Sequence, residues 1–189
     1  MPLSEPVARE RLHTRRIVLH GYHRADGLFD VEATLTDTKP YSFANEDRGT
    51  IEAGEPLHGM SMRMTVDEDM LITDFEAATD YSPYAICPQA APNFARLAGL
   101  RIGRGFLRAA AERVGGTHGC THLRELLQQM ATVAFQSLYP VRAKSAKPGV
   151  STETGLLNTC FAYSSDSPVV ERRWPERFTG VRTLEPTGG

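Results

Sequence analysis

The sequence predicts an α+β fold in which an antiparallel sheet, built from N-terminal β-hairpins, packs against C-terminal helices. Before position 76, apolar and polar residues alternate with the period of half-buried strands. After position 92, apolar residues recur at the spacing of an amphipathic helix. Because the strands come first and the helices follow, an α+β arrangement is favoured over a parallel βαβ core.

The strands form two predicted hairpins. In the first, strands over 17–21 and 29–36 flank Asp26-Gly27, a pair typical of a tight turn. A short strand is expected near Tyr41 and Phe43, followed by a charged loop over 44–56. The second hairpin begins at His58 and turns at 67–69.

Three methionines alternate along the first strand of the second hairpin, namely Met60, Met62 and Met64. Their period favours packing in the core. Because Met adapts its shape at binding surfaces, a ligand-binding face is the alternative.

Three helices are predicted in the second half. A short helix covers 93–97, and a second covers 106–114 and ends at Gly115-Gly116. The third begins with Thr121 as its N-cap and ends at Pro140. A basic linker over 142–153 and a strand or short helix over 156–163 follow.

Length and composition predict one domain. We expect residues 1–14 to be loosely ordered, 15–178 to form a single domain and 179–189 to be a disordered tail. The net charge is −2, so no basic surface predicts nucleic-acid binding. No apolar run approaches a membrane span, and residues 1–16 lack the apolar region of a signal peptide. We therefore expect a cytoplasmic protein, and a homo-oligomer remains open.

The segment over 115–127 carries the strongest chemical signal. Glycines lead into a helix that begins with Cys120, His122 and Glu125. Since a helix N-terminus carries partial positive charge, Cys120 is a candidate thiolate or metal ligand. His122 and Glu125 share a helix face, so Glu125 could orient the imidazole or act as a base. The alternative is a buried thiol beside a capping histidine.

Further candidates lie on the strands. His58 opens a strand and is a candidate base, although a lone histidine is more often structural. Arg63 lies further along that strand, and Asp37 and Lys39 follow the end of another. We expect Arg63, Lys39 and Asp37 to bind substrate, with the two cations holding a carboxylate or phenolate.

Metal and nucleotide motifs are weak in this sequence. It contains none of the usual local zinc spacings and no glycine-rich phosphate loop. We therefore expect no cofactor. The alternative is a zinc site formed in the tertiary structure by Cys87, Cys120, His122 and Cys160, since three scattered thiols do not suggest disulfides.

Five stretches resemble a bacterial family known as domain of unknown function 2889: residues 22–32, 35–39, 54–63, 119–126 and 158–163. Together they span most of residues 16–175. The resemblance implies a single compact domain and an association with bacterial catabolism of aromatic compounds.

These observations predict an acid–base enzyme that acts on a small aromatic molecule without a nucleotide cofactor. The expected reaction is a lyase cleavage of a C–C bond in a hydroxylated, lignin-derived compound, with loss of an aldehyde such as formaldehyde. His58, His122, Glu125 and Cys120 are the predicted catalytic residues. A metal-assisted enzyme or structural zinc protein, and a non-catalytic protein that binds a small ligand, are the alternatives.

Overall fold

The computed structural model describes residues 3–145 and 154–180. The chain divides into two compact units, Met1–Pro140 and Val141–Gly189. The expected single domain over 15–178 stays a prediction. Residues 181–189 of the expected disordered tail lie outside the described residues.

Six strands form two sheets in the first unit: β1 (Thr14–His23), β2 (Phe29–Thr38), β3 (Phe43–Asn45), β4 (Gly49–Ile51), β5 (Pro56–Val66) and β6 (Ile72–Tyr81). The main sheet has the strand order β1-β2-β5-β6, and all of its neighbours are antiparallel. With the helices that follow, this sheet confirms the α+β class. The prediction of a loop over 44–56 is wrong in part, because β3 and β4 pair there as a small hairpin.

One face of the main sheet forms the core. On β2, every second residue from Phe29 to Leu35 is buried, and Asp37 continues this row to the end of the strand. Met60, Met62 and Met64 lie opposite that row in register and are also buried. The methionines therefore pack in the core, as their period predicts.

Helical segments follow the sheet along the chain. They are a 3₁₀-helix (Cys87–Leu97), α1 (Phe106–Val114), a short 3₁₀ turn (Gly116–His118) and α2 (Thr121–Ser145). The bounds of α1 are those predicted. The helix expected over 93–97 is longer and has 3₁₀ geometry.

The predicted ends of α2 need two corrections. Pro140 lies inside the helix, which continues to Ser145 and covers the start of the expected linker. At the other end, Thr121 is the first helical residue rather than the N-cap. The carbonyl of Cys120 accepts the Arg124 amide at 3.0 Å, which places Cys120 at the cap position.

The buried side of α2 follows the predicted helical spacing and consists of Leu123, Leu126, Leu127, Met130, Ala134 and Leu138. On β1, a glycine allows close approach to this helix. A Cβ atom on Gly21 would lie 2.1 Å from Ser137 Oγ. None of the described helices combines the length and apolarity that a membrane crossing requires.

The second unit contains α3 (Pro168–Arg173), between the short 3₁₀ turns Thr154–Leu156 and Pro175–Arg177. Ser167 caps α3 by accepting the Val170 amide at 3.2 Å. The sequence did not predict this short helix. Val170 and Trp174 are buried, and the Trp174 ring lies 5.6 Å from that of Tyr163.

Candidate functional site

A cavity of about 490 Å³ in the first unit brings together three separate parts of the chain. They are the start of β5, the segment that contains the 3₁₀-helix, and the turn that leads into α2. The lining residues are His58, Met60, Pro83, Tyr84, Ile86, Cys87, Gln89, Ala90, Asn93, Thr117, Gly119, Cys120, Thr121 and His122. His58 and the 120–122 turn therefore line the same cleft, although more than fifty positions separate them in the sequence.

A buried carboxylate, Asp37, lies next to this cavity in the row of inward-facing residues on β2. Arg15 donates to both of its oxygens, with Nε to Oδ1 and Nη2 to Oδ2, each at 2.8 Å. His13 Nε2 lies 3.1 Å from Oδ1, and His58 Nδ1 lies 3.0 Å from Oδ2. Asp37 is therefore fully hydrogen-bonded in spite of its burial.

The charge on Asp37 is stabilised by these neighbours. Burial raises the pKa of the carboxyl group, but the hydrogen bonds and charge of Arg15, together with His13, outweigh burial and lower the pKa to about 2. Asp37 is thus ionised at neutral pH. Because a carboxylate only accepts hydrogen bonds, Nδ1 of His58 is the donor between them.

His58 is a neutral base in this arrangement. Its burial lowers the pKa of the imidazole below the usual 6.5, and repulsion between the two rings when both carry a proton lowers it further, although Asp37 opposes the change. With the proton of the neutral ring on Nδ1, Nε2 keeps a free lone pair. Since the side chain lines the cavity, a bound molecule could deliver a proton to it.

His122 is stacked against His58. The two ring centroids are 4.0 Å apart and the ring planes are tilted by 35°. Nδ1 of His122 lies 3.8 Å from Sγ of Cys120, which is within hydrogen-bonding distance for sulfur. Two imidazoles and a thiol thus stand side by side at the start of α2.

Glu125 contacts a different partner from the one expected. Its Oε2 accepts from Nη1 of Arg15 at 2.5 Å, while the remaining nitrogens of that guanidinium hold Asp37. Glu125 thus fixes Arg15 instead of orienting His122. Its carboxylate is about half exposed and does not line the cavity.

The two cations expected to hold a substrate anion lie elsewhere. Lys39 Nζ donates to Tyr41 Oη at 3.1 Å and lies over the rings of Tyr41 and Phe43. Arg63 is paired in register with Glu32, on the sheet face opposite His58, and forms ion pairs with Glu32 and Glu76. Neither cation lines the cavity.

A family model described as "Protein of unknown function (DUF2889)" matches residues 13–136, about two thirds of the chain. The chain belongs to this family. Comparison with curated proteins gives no match, and comparison with solved structures gives none either. In this DUF2889 protein, the matched segment begins at His13 and includes every residue of the cavity and of the Asp37 network.

The thiols of this DUF2889 protein are distributed over both units. Cys87 and Cys120 line the cavity, and Cys160 is an exposed residue of the second unit. Among the described residues, the group with metal-binding geometry is Asp37, His58 and His122, in which one donor atom of each lies within 4.8 Å of the others. This group shares only His122 with the predicted zinc site.

Several site residues were missed by the sequence analysis. His13 and Arg15 are not among the candidates that the sequence suggested, yet both contact Asp37. The alternation on β1 could have indicated Arg15. It precedes Ile17 by two positions, so both side chains lie on the inward face of the sheet. Gln89 and Asn93 gave no comparable signal, because no motif marks an amide that lines a cavity.

Proposed function

We propose that this DUF2889 protein is an enzyme that performs acid–base chemistry on a small aromatic molecule in the His58 cavity. The observation that carries this proposal is the pairing of a buried, ionised Asp37 with Nδ1 of His58. This pairing leaves a neutral imidazole with a free Nε2, and its lowered pKa makes it a base at neutral pH.

The reaction that we propose is a retro-aldol-type lyase step with loss of formaldehyde. His58 removes the proton of a hydroxymethyl group, and the C–C bond next to that group breaks as its C=O bond forms. Before this bond breaks, the ring carbon that carries the hydroxymethyl group takes up a proton as the phenol loses its own, which gives a dienone. The electron pair of the broken bond then passes through the ring to the dienone oxygen, which takes up a proton and becomes a phenol again. His122, stacked on His58 beside Cys120, is in position to return that proton.

The surroundings of the histidines support this chemistry. Met60, Ile86 and Ala90 supply apolar surface for a ring. The first turn of α2 reaches the cavity with Thr121 and His122, and its partial positive charge would stabilise negative charge that develops on the substrate. Three free thiols fit a cytoplasmic catabolic enzyme, where thiols stay reduced.

A panel of phenolic compounds with hydroxymethyl side chains, assayed for formaldehyde release, tests the proposal. Replacing His58 or His122 by Gln should lower turnover by roughly 10²–10⁴-fold while thermal unfolding stays cooperative. The matched control is His20→Gln, because His20 is an exposed residue of β1 outside the cavity. Wild-type turnover in both variants would end the proposal, and ligand binding without turnover would favour a binding protein.

A metal-assisted enzyme is the second candidate, because Asp37, His58 and His122 form a carboxylate–histidine group. Against it stands the hydrogen bonding of Asp37, whose two oxygens already accept four bonds from Arg15, His13 and His58. A metal on that carboxylate would have to displace a guanidinium or an imidazole. The metal-free reaction is therefore the better supported of the two.

A further inference from the structure

The cavity around His58 has histidines as its only titratable nitrogen bases among the described lining residues. None of the described residues that line it is Asp, Glu, Lys or Arg. Its polar groups are the histidines, hydroxyl and thiol groups, and two side-chain amides, Gln89 and Asn93. A ligand in this cavity therefore meets hydrogen-bonding groups without a lysine or arginine as a permanent counter-ion.

The two amides stand on the 3₁₀-helix. Cys87, Ala90 and Asn93 recur every third residue, which is one turn of a 3₁₀-helix, so they form one face toward the cavity. Nδ2 of Asn93 donates to the carbonyl of His118 at 3.0 Å, so Oδ1 remains as an acceptor. Within the described chain, the side chain of Gln89 has no hydrogen-bond partner and can offer either role.

The fixed charges closest to the histidines are one cation and two anions, which sum to −1. Arg15 is held between the carboxylates of Asp37 and Glu125, and none of the three lines the cavity. The N-terminus of α2 contributes only about half an elementary charge. An anionic ligand would give up part of its hydration, meet no lysine or arginine in the described lining and lie near fixed charges that sum to −1.

We infer that the cavity takes its aromatic substrate as an uncharged phenol or alcohol, and that it discriminates against carboxylates. This inference rests on the proposed function, since it assumes that the substrate binds beside His58. Gln89 and Asn93 recognise hydroxyl groups of the ligand. Gln89 sets the charge preference, because a cation at that position would supply the missing counter-ion.

The test compares two ligands that differ in charge, 4-hydroxybenzyl alcohol and 4-hydroxybenzoate, by calorimetric titration of the full-length protein at pH 7. We expect the neutral alcohol to bind at least about tenfold more tightly than the carboxylate. Equal or tighter binding of the carboxylate overturns the inference. Failure of both ligands to bind at about 10 mM overturns it as well.

A pair of variants locates the effect in the cavity. Gln89→Arg should raise the affinity for 4-hydroxybenzoate by about tenfold or more. Gln129→Arg adds the same charge to an exposed position of α2 outside the cavity and should leave the affinity unchanged. If both variants respond alike, the cavity is not the binding site and the inference fails.

Because binding is measured without turnover, failure of the inference and failure of the proposed function are distinguishable. If the alcohol is preferred and His58→Gln keeps wild-type turnover, the charge preference stands and the acid–base proposal fails. If His58→Gln is inactive and the carboxylate is preferred, the acid–base proposal stands and this inference fails.

Discussion

Asp37 is the residue on which the geometry of the site depends. It extends the inward row of β2 from Phe29, so its burial could have been predicted by continuing the alternation one step past Leu35. Its partners could not have been predicted, because His13, Arg15 and His58 lie 21 to 24 positions away in the sequence. Pattern reasoning indicates which face a side chain occupies, whereas contacts across strands depend on register.

Above pH 4, Asp37→Asn should have a lower free energy of unfolding than wild type. The difference between the two proteins should become smaller as the pH falls. The folded pKa of Asp37 is lowered from 3.8 to about 2, so the folded state holds fewer protons than the unfolded state between these values. This difference stabilises the wild type by roughly 2 kcal/mol above pH 4 and disappears as pH falls toward 2. Urea unfolding of wild type and variant at several pH values measures it.

Asp69→Asn is the control for this series, because Asp69 is an exposed turn residue. It should leave the free energy of unfolding within about 0.5 kcal/mol of wild type at every pH. A constant gap between Asp37→Asn and wild type from pH 7 to pH 2 would contradict the ionised state of Asp37.

The pH dependence of turnover should report His58. As a base with a lowered pKa, it should give kcat/KM an acid limb with a midpoint below 6.5. Asp37 raises the pKa of His58, so Asp37→Asn should move this midpoint to still lower pH and also reduce kcat. A profile of kcat/KM against pH for both proteins measures the change. If the midpoint were the same in both proteins, Asp37 would not influence the pKa of His58, and its role would be structural only.

At the scale of elements, the 3₁₀-helix packs one face into the core and presents another face to the cavity. Ala91, Phe94 and Leu97 recur every third residue and are buried, while the face with Cys87, Ala90 and Asn93 lines the cavity. Only the end of this segment, 93–97, was predicted as a helix, because the segment does not follow the α-helical period. Pro88 and Pro92 interrupt that period, whereas the period of three was readable in the apolar residues.

The turn that positions Cys120 and His122 depends on Gly119. A Cβ atom on Gly119 would lie 2.1 Å from the carbonyl oxygen of Val114, a backbone atom that closes α1 and cannot rotate away. Gly119→Ala should therefore shift the turn, cost about 1–3 kcal/mol of stability and lower turnover. Chemical unfolding and the formaldehyde assay on the same preparation measure both effects.

Gly103→Ala is the matched control for this substitution, because no atom lies within 4 Å of the Cβ position at Gly103. Its stability should stay within about 0.5 kcal/mol of wild type, and its turnover should not change. If Gly119→Ala behaved in the same way, the tight contact with Val114 would not fix the turn.

At the scale of the whole molecule, the order of elements could be predicted and the assembly of the site could not. The alternation before position 76 predicted both hairpins of the main sheet, because β2 and β5, one strand of each hairpin, have a buried face. The same period could also have predicted that Arg63 and His58 lie on opposite faces of the sheet. An odd spacing along a strand places two side chains on opposite faces. The meeting of β5, the 3₁₀-helix and α2 at one cavity is set by long-range packing that no local pattern encodes.

The last prediction concerns the metal content of the whole protein. Asp37 accepts four hydrogen bonds, and the metal-binding group among the described residues includes none of the three thiols. A metal on Asp37 would therefore have to displace Arg15, His13 or His58 from the carboxylate, so we expect activity without added metal. Full-length protein prepared without metal should contain well below one equivalent of zinc, iron or manganese by elemental analysis, and a chelator should change neither turnover nor thermal midpoint. About one bound metal per chain, lost together with activity on chelation and absent from His122→Gln, would replace the acid–base mechanism with a metal-assisted one.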